Sequence, residues 1–359
     1  MRANSYAVTL RRGPLTAITG VLAALAAALF LSPPGAEADG ACDRFASPSG
    51  SDSASGTLAS PYASPQELID SLASGQTGCL RTGTYSFSTL LVNQADITLA
   101  PYGTDAVTLK GTIKVPPTGT GATIEGMKLN GQGGSSAHGP RIYASDFRLL
   151  GNEITNQHTG ICVIVSEYYG RPKPEGVAIK RNRIHDCGEL PATNHEHGIY
   201  LSEARDAVIR NNWIYDNADR GIQQYPDTDG SLITGNVIDG NGQGLNFSGR
   251  NASCSSGNVV EHNVISNSRI HWNAYSGTQG DACASNVVRD NCAFASNDDP
   301  SYNVGDGIQP DSRSFDASSN LVASPRYQDA DSNDLRLRAD SECLAMYTGT
   351  LSSPGPAAE

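Results

Sequence analysis

The phrase His197-Gly198-Ile199-Tyr200-Leu201 recurs twice in altered form, as Arg220-Gly221-Ile222-Gln223-Gln224 and as Gln243-Gly244-Leu245-Asn246-Phe247. Aligned on the glycine, the three copies lie 23 residues apart in both steps. A fixed period of this size is typical of a solenoid, in which each unit has strands too short to stand alone and stacks on the next unit. The repeat therefore predicts an all-β solenoid whose equivalent residues form columns from coil to coil.

Residues within the repeat can be assigned to the inside or the outside of the coils. Alternation with period 2 places Ile199, Leu201, Ile222, Leu245 and Phe247 inside. The intervening Tyr200, Gln223 and Asn246 then point outward. The strands must be parallel, because each coil repeats the direction of the one before it.

An asparagine recurs at one aligned position in the segment that follows each glycine phrase. The set is Asn152, Asn182, Asn212, Asn236, Asn263 and Asn291. Asparagine tolerates the left-handed backbone of a tight turn, and stacked amides can hydrogen-bond along a stack of strands. We therefore interpret these residues as structural.

The flanks of the repeat predict one capping element and two loops. Ser64-Pro65-Gln66-Glu67 has the pattern of a capping box and predicts a short helix that covers the N-terminal end of the stack. The interval from Gly160 to Gly198 is 38 residues, and its excess lies in Glu167–Glu175 and Gly188–Asn194. We expect these two segments to project as loops beside the coils, where function on a solenoid usually gathers.

The N-terminus has the features of a secretory signal peptide. Arg2, Arg11 and Arg12 precede an apolar run from Ile18 to Leu31, which is too short to span a bilayer. Ala36-Glu37-Ala38 follows as a cleavage site, and export by the general or the twin-arginine route stays open. We therefore expect residues 1–38 to be removed and the mature protein to be extracellular, without membrane attachment.

The remaining residues 39–359 are predicted to form one β-helix domain. We divide it into an N-terminal cap at 39–85, coils at 86–295 and a closing segment at 296–359. The net charge of the whole chain is −12 and argues against a nucleic-acid partner. We expect a monomer.

Eight cysteines in an exported chain predict four disulfides. Sequence alone does not determine the connectivity, but near neighbours in a solenoid sequence are near in space. On that ground we favour Cys42–Cys79, Cys162–Cys187, Cys254–Cys283 and Cys292–Cys343.

The whole pattern resembles the secreted right-handed parallel β-helix proteins of the pectate-lyase-like superfamily. The resemblance rests on residues 39–85, on the glycine and asparagine phrases, and on Asn320-Leu321-Val322-Ala323-Ser324-Pro325-Arg326-Tyr327 with Asp334-Leu335-Arg336-Leu337. It implies a right-handed single-stranded parallel β-helix. It leaves the activity open, because that superfamily includes polysaccharide lyases, glycoside hydrolases, epimerases and non-catalytic proteins.

Stacking the repeats brings polar side chains onto one patch. With adjacent coils about 4.8 Å apart, neighbouring copies of each column position come within reach of one another. The predicted patch comprises His195, Glu196, His197, Tyr200, Asp219, Arg220, Gln223, Tyr225 and Asn246, together with Lys173 from the first loop. Histidine and arginine concentrate here in an otherwise acidic chain, which favours an extended acidic polysaccharide as the ligand.

Lyase chemistry on a uronate needs a cation, a base and an acid. Arg220 or Lys173 suits carboxylate neutralisation, His197 or His195 suits proton abstraction, and Tyr200 suits protonation of the leaving oxygen. We therefore favour a polysaccharide lyase that acts by β-elimination. The residues leave open whether the protein is an enzyme at all, since a non-catalytic carbohydrate-binding protein would show the same patch.

A glycoside hydrolase is the alternative enzyme, with Glu196 and Asp219 as its two carboxylates one coil apart. His195-Glu196-His197 lacks a third ligand, so we assign no transition-metal site. Calcium is the one cofactor hypothesis, because Glu196, Asp219, Asp227 and Asp229 could supply several oxygens.

Overall fold

Short parallel strands stack coil on coil through the described part of the chain. The computed structural model describes residues 42–135, 138–250, 253–277, 283, 285–296, 305, 307–309 and 314–356, all within the compact unit Ala38–Glu359. The predicted signal peptide, residues 1–38, lies outside these residues. None of the helices in the described ranges has the length and apolarity of a membrane span.

Three faces run along the stack, which we call A, B and C. Face A is an 11-stranded parallel sheet in the described residues. Its strands are Arg44–Ala46, Thr77–Leu80, Thr98–Pro101, Thr123–Glu125, Arg148–Leu150, Ala178–Lys180, Val208–Arg210, Leu232–Thr234, Val259–Glu261, Asn286–Arg289 and Phe315–Ser318. Face B contains Lys128–Asn130, Glu153–Thr155, Arg183–His185, Trp213–Tyr215, Val237–Asp239, Val264–Ser268, Cys292–Ser296 and Leu321–Val322.

Face C carries the repeated glycine phrases. Its strands are Arg141–Ile142, Val163–Val165, Ile199–Arg205, Arg220–Asp229, Gln243–Phe247 and Ala274–Ser276. The long strand Val107–Val115 pairs with face B through its first half and with face C through its second, and Gly83–Leu91 pairs alongside it. Ile199 lies opposite Ile222, and Ile222 opposite Leu245, so the three phrases stack as predicted.

The predicted interior residues are confirmed. Ile199, Leu201, Ile222, Leu245 and Phe247 are each fully buried in the central core. The glycines of the phrases are required by close packing, because a Cβ on Gly221 would lie 2.9 Å from the carbonyl oxygen of Gly244. Side chains larger than hydrogen would push these coils apart.

The recurring asparagines form a continuous hydrogen-bonded ladder inside the stack. In each rung the backbone N–H and the side-chain amide both donate to the Oδ1 of the next asparagine. The ladder runs through Asn152, Asn182, Asn212, Asn236, Asn263, Asn291 and Asn320. The left-handed residue of each turn is the one before the ladder asparagine, for example Asn211 with φ 59°, so the ladder residues are selected for their amides.

The alignment of Gly160 with Gly198 is wrong. Val163 pairs with Ile199, so Cys162 rather than Gly160 stacks on Gly198. The loop before Gly198 contains extra residues, and the 23-residue period does not show how many of them lie outside the coil. His158 lies beside Asp186, with its Nε2 3.4 Å from the carboxylate.

The N-terminal end is covered by the helix Pro65–Asp70, as the capping-box pattern predicts. Ser64 Oγ accepts from the backbone N–H of Glu67 at 3.1 Å. The reciprocal half of the box is absent, because the N–H of Ser64 donates to Asp52 at 2.8 Å. Leu68 and Ile69 are fully buried against the first coils.

The C-terminal segment packs over face B. It contains the antiparallel pair Tyr327–Asp329 and Asp334–Leu337 and the 3₁₀ turns Ala330–Ser332 and Glu342–Ala345. Leu335 and Leu337 form a second apolar cluster with Trp213, Val237 and Val264, whose side chains point outward from face B. (A further 3₁₀ turn at Pro117–Gly119 and the antiparallel pair Gly249–Arg250 and Ser253–Cys254 complete the elements.)

All four predicted disulfides are present. They join Cys42 to Cys79, Cys162 to Cys187, Cys254 to Cys283 and Cys292 to Cys343. The last bond fastens the C-terminal segment to face B. Disulfides of this density are typical of proteins that fold in an oxidising compartment.

We predict that Asn212→Ala lowers the free energy of unfolding by about 1–3 kcal/mol, because it leaves buried partners unpaired in the rungs on either side. Asn320→Ala is the matched control, since the last rung in the described chain is only half-buried and should cost less. Denaturant unfolding followed by circular dichroism measures both values. An equal loss of unfolding free energy in the two variants would contradict the idea that a more buried rung stabilises the fold more.

Candidate functional site

A cleft of ≈ 510 Å³ opens on face C where the glycine phrases stack. Its lining residues are Asn194, His195, His197, Tyr200, Arg220, Gln223, Tyr225, Gln243, Asn246, Ser248, His271, Tyr275 and Gly277. Tyr200, Gln223, Asn246 and Tyr275 form one row of this floor, each opposite the next in strand register. The cleft therefore depends directly on the parallel stacking of the coils.

One wall of the cleft is held by the buried carboxylate of Asp219, which is 1% exposed. Its Oδ1 accepts from the backbone N–H of Asn194 at 2.8 Å. Its Oδ2 accepts from the N–H groups of His195 and Glu196 at 2.8 and 2.9 Å. Both oxygens are thus used to fix the segment that enters the cleft, so Asp219 positions other residues.

Arg220 supplies a positive charge to the cleft without a carboxylate partner in the described residues. Its Nε donates to Tyr275 Oη at 2.8 Å, and its Nη1 and Nη2 donate to the backbone and side-chain oxygens of Asn194 at 3.1 and 2.6 Å. All three acceptors are neutral, and the residue is 8% exposed. The guanidinium is therefore rigidly held while its charge is left uncompensated by an adjacent anion.

His197 lies beside Arg220 in a nearly closed environment. The residue is 4% exposed, and its ring meets that of Tyr200 edge-on at 5.6 Å between centroids. No group in the described ranges hydrogen-bonds to its Nδ1. Burial first, and then the positive charge of Arg220 and proximity of His195, lower the pKa of His197 well below 6.5. The imidazole of His197 is therefore neutral at neutral pH.

Burial also shifts the pKa values of Tyr200, Tyr275 and His271 in the cleft. Burial raises the pKa of the Tyr200 hydroxyl. It likewise raises the pKa of Tyr275, which the charge of Arg220 and its hydrogen bond lower only in part. Burial and the Arg220 charge lower the pKa of His271. The tyrosines consequently remain protonated and can donate a proton or a hydrogen bond.

Two amides on the floor retain hydrogen-bonding capacity. Gln223 Oε1 and Asn246 Oδ1 are buried atoms that no group in the described residues satisfies. Buried polar groups are usually paired, so unpaired ones around a cleft call for an explanation. Polar ligand groups such as sugar hydroxyls provide suitable donors.

Three residues of the predicted patch do not line the cleft. Glu196 accepts from the backbone N–H of Glu189 at 2.6 Å through its Oε2. Asp219 is enclosed by the N–H groups described above. Lys173 lies 2.7 Å from Asp227 and 2.9 Å from Asp229, so its charge is already compensated.

These contacts also bear on calcium. The carboxylates of Asp227 and Asp229 hold the ammonium of Lys173 between them, and Asp219 accepts only backbone N–H groups. Within the described ranges, no three His, Cys, Asp or Glu side chains converge as a metal site would require. The oxygen ligands considered from the sequence therefore do not fit a calcium ion.

Six lining residues were not identified from the sequence. They are Asn194, Gln243, Ser248, His271, Tyr275 and Gly277. Tyr275 stands opposite Asn246, so extending the outward row by one more coil would have found it. Leu245 and its partner Ala274 are 29 residues apart (274 − 245) instead of 23, so a search with the shorter period misses this coil.

Comparison with known proteins agrees with the architecture. A family model described as "Right handed beta helix region" matches residues 117–265. Among solved structures, the pectate lyase Pel9A superposes with a TM-score of 0.61 at 14% sequence identity. The aligned region covers 83% of this chain and 90% of the Pel9A chain. The chain is therefore a right-handed parallel β-helix protein with a pectate-lyase-like fold.

Two further solved structures show a weaker likeness. A rhamnogalacturonan lyase has a TM-score of 0.49 at 10% identity, covering 80% of this chain and 90% of its own. XylC in complex with xylose has a TM-score of 0.49 at 12% identity, and the aligned region covers 70% of this chain and 69% of the XylC chain. No sequence among curated proteins matches the chain.

We predict that Asp219→Asn lowers the free energy of unfolding by about 1–3 kcal/mol, because an amide cannot accept three backbone N–H groups as the carboxylate does. Limited proteolysis should also increase between residues 188 and 196. Asp227→Asn is the control, since its half-exposed ion pair with Lys173 should contribute less than about 1 kcal/mol. Unchanged stability and proteolysis in Asp219→Asn would show that the carboxylate does not anchor this segment.

Proposed function

We propose that this protein is an exported polysaccharide lyase that binds a uronate-containing chain in the cleft of face C and cleaves it by β-elimination. The observation that carries the proposal is the guanidinium of Arg220, which donates to three neutral acceptors and forms no ion pair with a carboxylate of the described residues. A buried arginine in that state favours an anionic ligand, and planar carboxylates match its geometry. The pectate-lyase fold of the neighbour Pel9A supports the choice of substrate class.

The three chemical roles fall on adjacent side chains. Arg220 receives the uronate carboxylate and withdraws charge from it, which acidifies the proton on the adjacent carbon. A ring nitrogen of His197 accepts that proton, and the electron pair of the broken C–H bond forms the new C=C bond. The glycosidic C–O bond at the next carbon breaks, and Tyr200 donates its hydroxyl proton to the leaving oxygen. No water is consumed.

The protonation states support these roles. His197 is neutral because its pKa is lowered, so the base form is present at neutral pH. Tyr200 is protonated because burial raises its pKa, so the acid form is present as well. In the described residues Nδ1 of His197 has no hydrogen-bond partner, so this nitrogen does not fix the tautomer.

The hydrolase alternative has less support. Its two carboxylates, Glu196 and Asp219, lie outside the cleft lining and hold backbone N–H groups. Residues engaged in this way cannot serve as nucleophile and acid without breaking the wall of the cleft.

Arg220→Gln should weaken binding of polygalacturonate or alginate roughly 10- to 150-fold, the value of one charge-assisted hydrogen-bonding site. Arg210→Gln is the matched control, because it removes the same charge from an exposed position on face A. Isothermal titration against these two polymers and a neutral glucan provides the measurement. Binding of the neutral glucan alone, or equal affinity in Arg220→Gln, would refute the role of Arg220.

His197→Ala should lower turnover by about 10²–10⁴-fold, the usual contribution of a positioned base, with the fold intact by circular dichroism. Absorbance of the unsaturated uronate reports elimination, and reducing ends without that absorbance report hydrolysis. Full activity in a folded His197→Ala protein would exclude His197 as the base. Binding with neither signal would identify a non-catalytic module.

The pH dependence should separate free protein from complex. In kcat/KM, which reports the free enzyme, the acidic limb should lie well below pH 6.5 because burial and Arg220 lower the pKa of His197. A bound carboxylate cancels the Arg220 charge, so the limb in kcat should move to higher pH. Coincident limbs in the two profiles would contradict the coupling of His197 to Arg220.

A further inference from the structure

The floor row of the cleft continues beyond it toward the N-terminal coils. In strand register Tyr200 lies opposite Ile164, Ile164 opposite Arg141, and Arg141 opposite Lys114. Lys114 is therefore three strands from Tyr200, a distance of about 14 Å at the usual spacing of parallel strands. An extended ligand that crosses the strands of face C along this row reaches both residues.

Lys114 is enclosed by aromatic rings rather than by carboxylates. Its Nζ lies 5.8 Å from the ring centroid of Tyr143 and 5.3 Å from that of Tyr168. No ion pair within 4.0 Å involves Lys114 in the described residues. Cation–π contacts orient an ammonium group but leave its charge in place.

The same cluster presents an exposed aromatic surface. The rings of Tyr143 and Tyr168 meet edge-on at 5.0 Å, and those of Tyr168 and Tyr169 at 4.7 Å. Tyr169, in the loop that follows the strand Val163–Val165, is 89% exposed. A large exposed ring braced by its neighbours offers a flat apolar face with polar hydroxyls at its edge, which suits a sugar ring.

We propose that Lys114, Tyr143, Tyr168 and Tyr169, which we call the tyrosine–lysine platform, form a second sugar-binding subsite on face C. A pyranose ring packs on the exposed tyrosine, and Lys114 receives the carboxylate of a uronate. The inference rests on the proposed function, because the platform binds the distal part of the chain that the cleft holds. It predicts that affinity depends on chain length.

The row that connects the two subsites carries positive charge, which suits an anionic ligand. Lys114 and Arg141 share the row with the floor of the cleft, and Arg220, which donates to Tyr275 Oη, supplies a third positive charge in the cleft itself. Glu203 lies on the same face, in the strand that carries Tyr200, and its Oε2 accepts from the hydroxyls of Ser166 and Ser202 at 2.9 and 3.0 Å. These hydrogen bonds direct the carboxylate oxygen to protein partners rather than to the row.

The test compares two lengths of the same ligand, using whichever of polygalacturonate and alginate the wild-type protein binds more tightly. Lys114→Gln and Tyr169→Ala should each weaken polymer binding roughly 2- to 30-fold, the range of one cation–π or stacking contact. Binding of the trisaccharide of the same uronate should be unchanged, because a short ligand occupies the cleft alone.

Lys110→Gln is the matched control. It makes the same substitution in the same strand, but Lys110 pairs with Asn130 on face B, so polymer binding should not change. Unaltered polymer binding in Lys114→Gln and Tyr169→Ala, or an equal loss for the trisaccharide, would overturn the platform while leaving the proposed function intact. Failure of the wild-type protein to bind either polymer would overturn both.

Discussion

The structure depends on keeping each coil in register with the next at the spacing of a parallel sheet. Backbone hydrogen bonds set that spacing, but a three-residue strand has few of them. The asparagine ladder adds a second, internal set, in which the amide of one coil satisfies the backbone and side chain of its neighbour. Because a buried amide without a partner is costly, each rung favours a single register. A slip by one residue would turn every inward side chain outward.

The cleft is a consequence of that register. Outward side chains of successive coils form rows, and a row of Tyr200, Gln223, Asn246 and Tyr275 creates a polar floor from residues distant in sequence. In the later coils of face B the outward side chains include apolar ones such as Trp213 and Val237, and the C-terminal segment covers them. The polarity of the outward side chains thus differs between the two faces. Apolar ones on face B pack against the C-terminal segment, whereas the polar ones on face C face the solvent.

Much of the fold could be predicted because its period is regular. The 23-residue repeat gave the inward residues of three coils, and nearness in a solenoid gave all four disulfide pairs. Sequence reasoning failed where loops interrupt the period, as with Gly160, whose misalignment follows from a loop of unpredictable path. Sequence reasoning also gave Asp219 a ligand-binding role. A sequence shows that a carboxylate is present, but it does not show that three backbone N–H groups surround it. Lys173 was similarly misplaced, because its two acidic partners lie more than fifty residues away.

Arg220 and His197 show how a site can be charged within an acidic protein. Asp219 forms no ion pair with an arginine in the described residues, because its oxygens accept from backbone N–H groups. It is used to fix the backbone at Asn194, whose oxygens then hold the Arg220 guanidinium. The carboxylate of Asp219 thus serves to position the backbone. The positive charge of Arg220 remains effective in a poorly solvated cleft, because electrostatic interactions are stronger there than in water. That charge disfavours protonation of His197, and by the same coupling an anion bound at Arg220 makes His197 a stronger base. In the proposed mechanism, recognition of the ligand and activation of the base are therefore coupled, because both depend on the Arg220 guanidinium, whose hydrogen-bond acceptors in the described residues are all neutral.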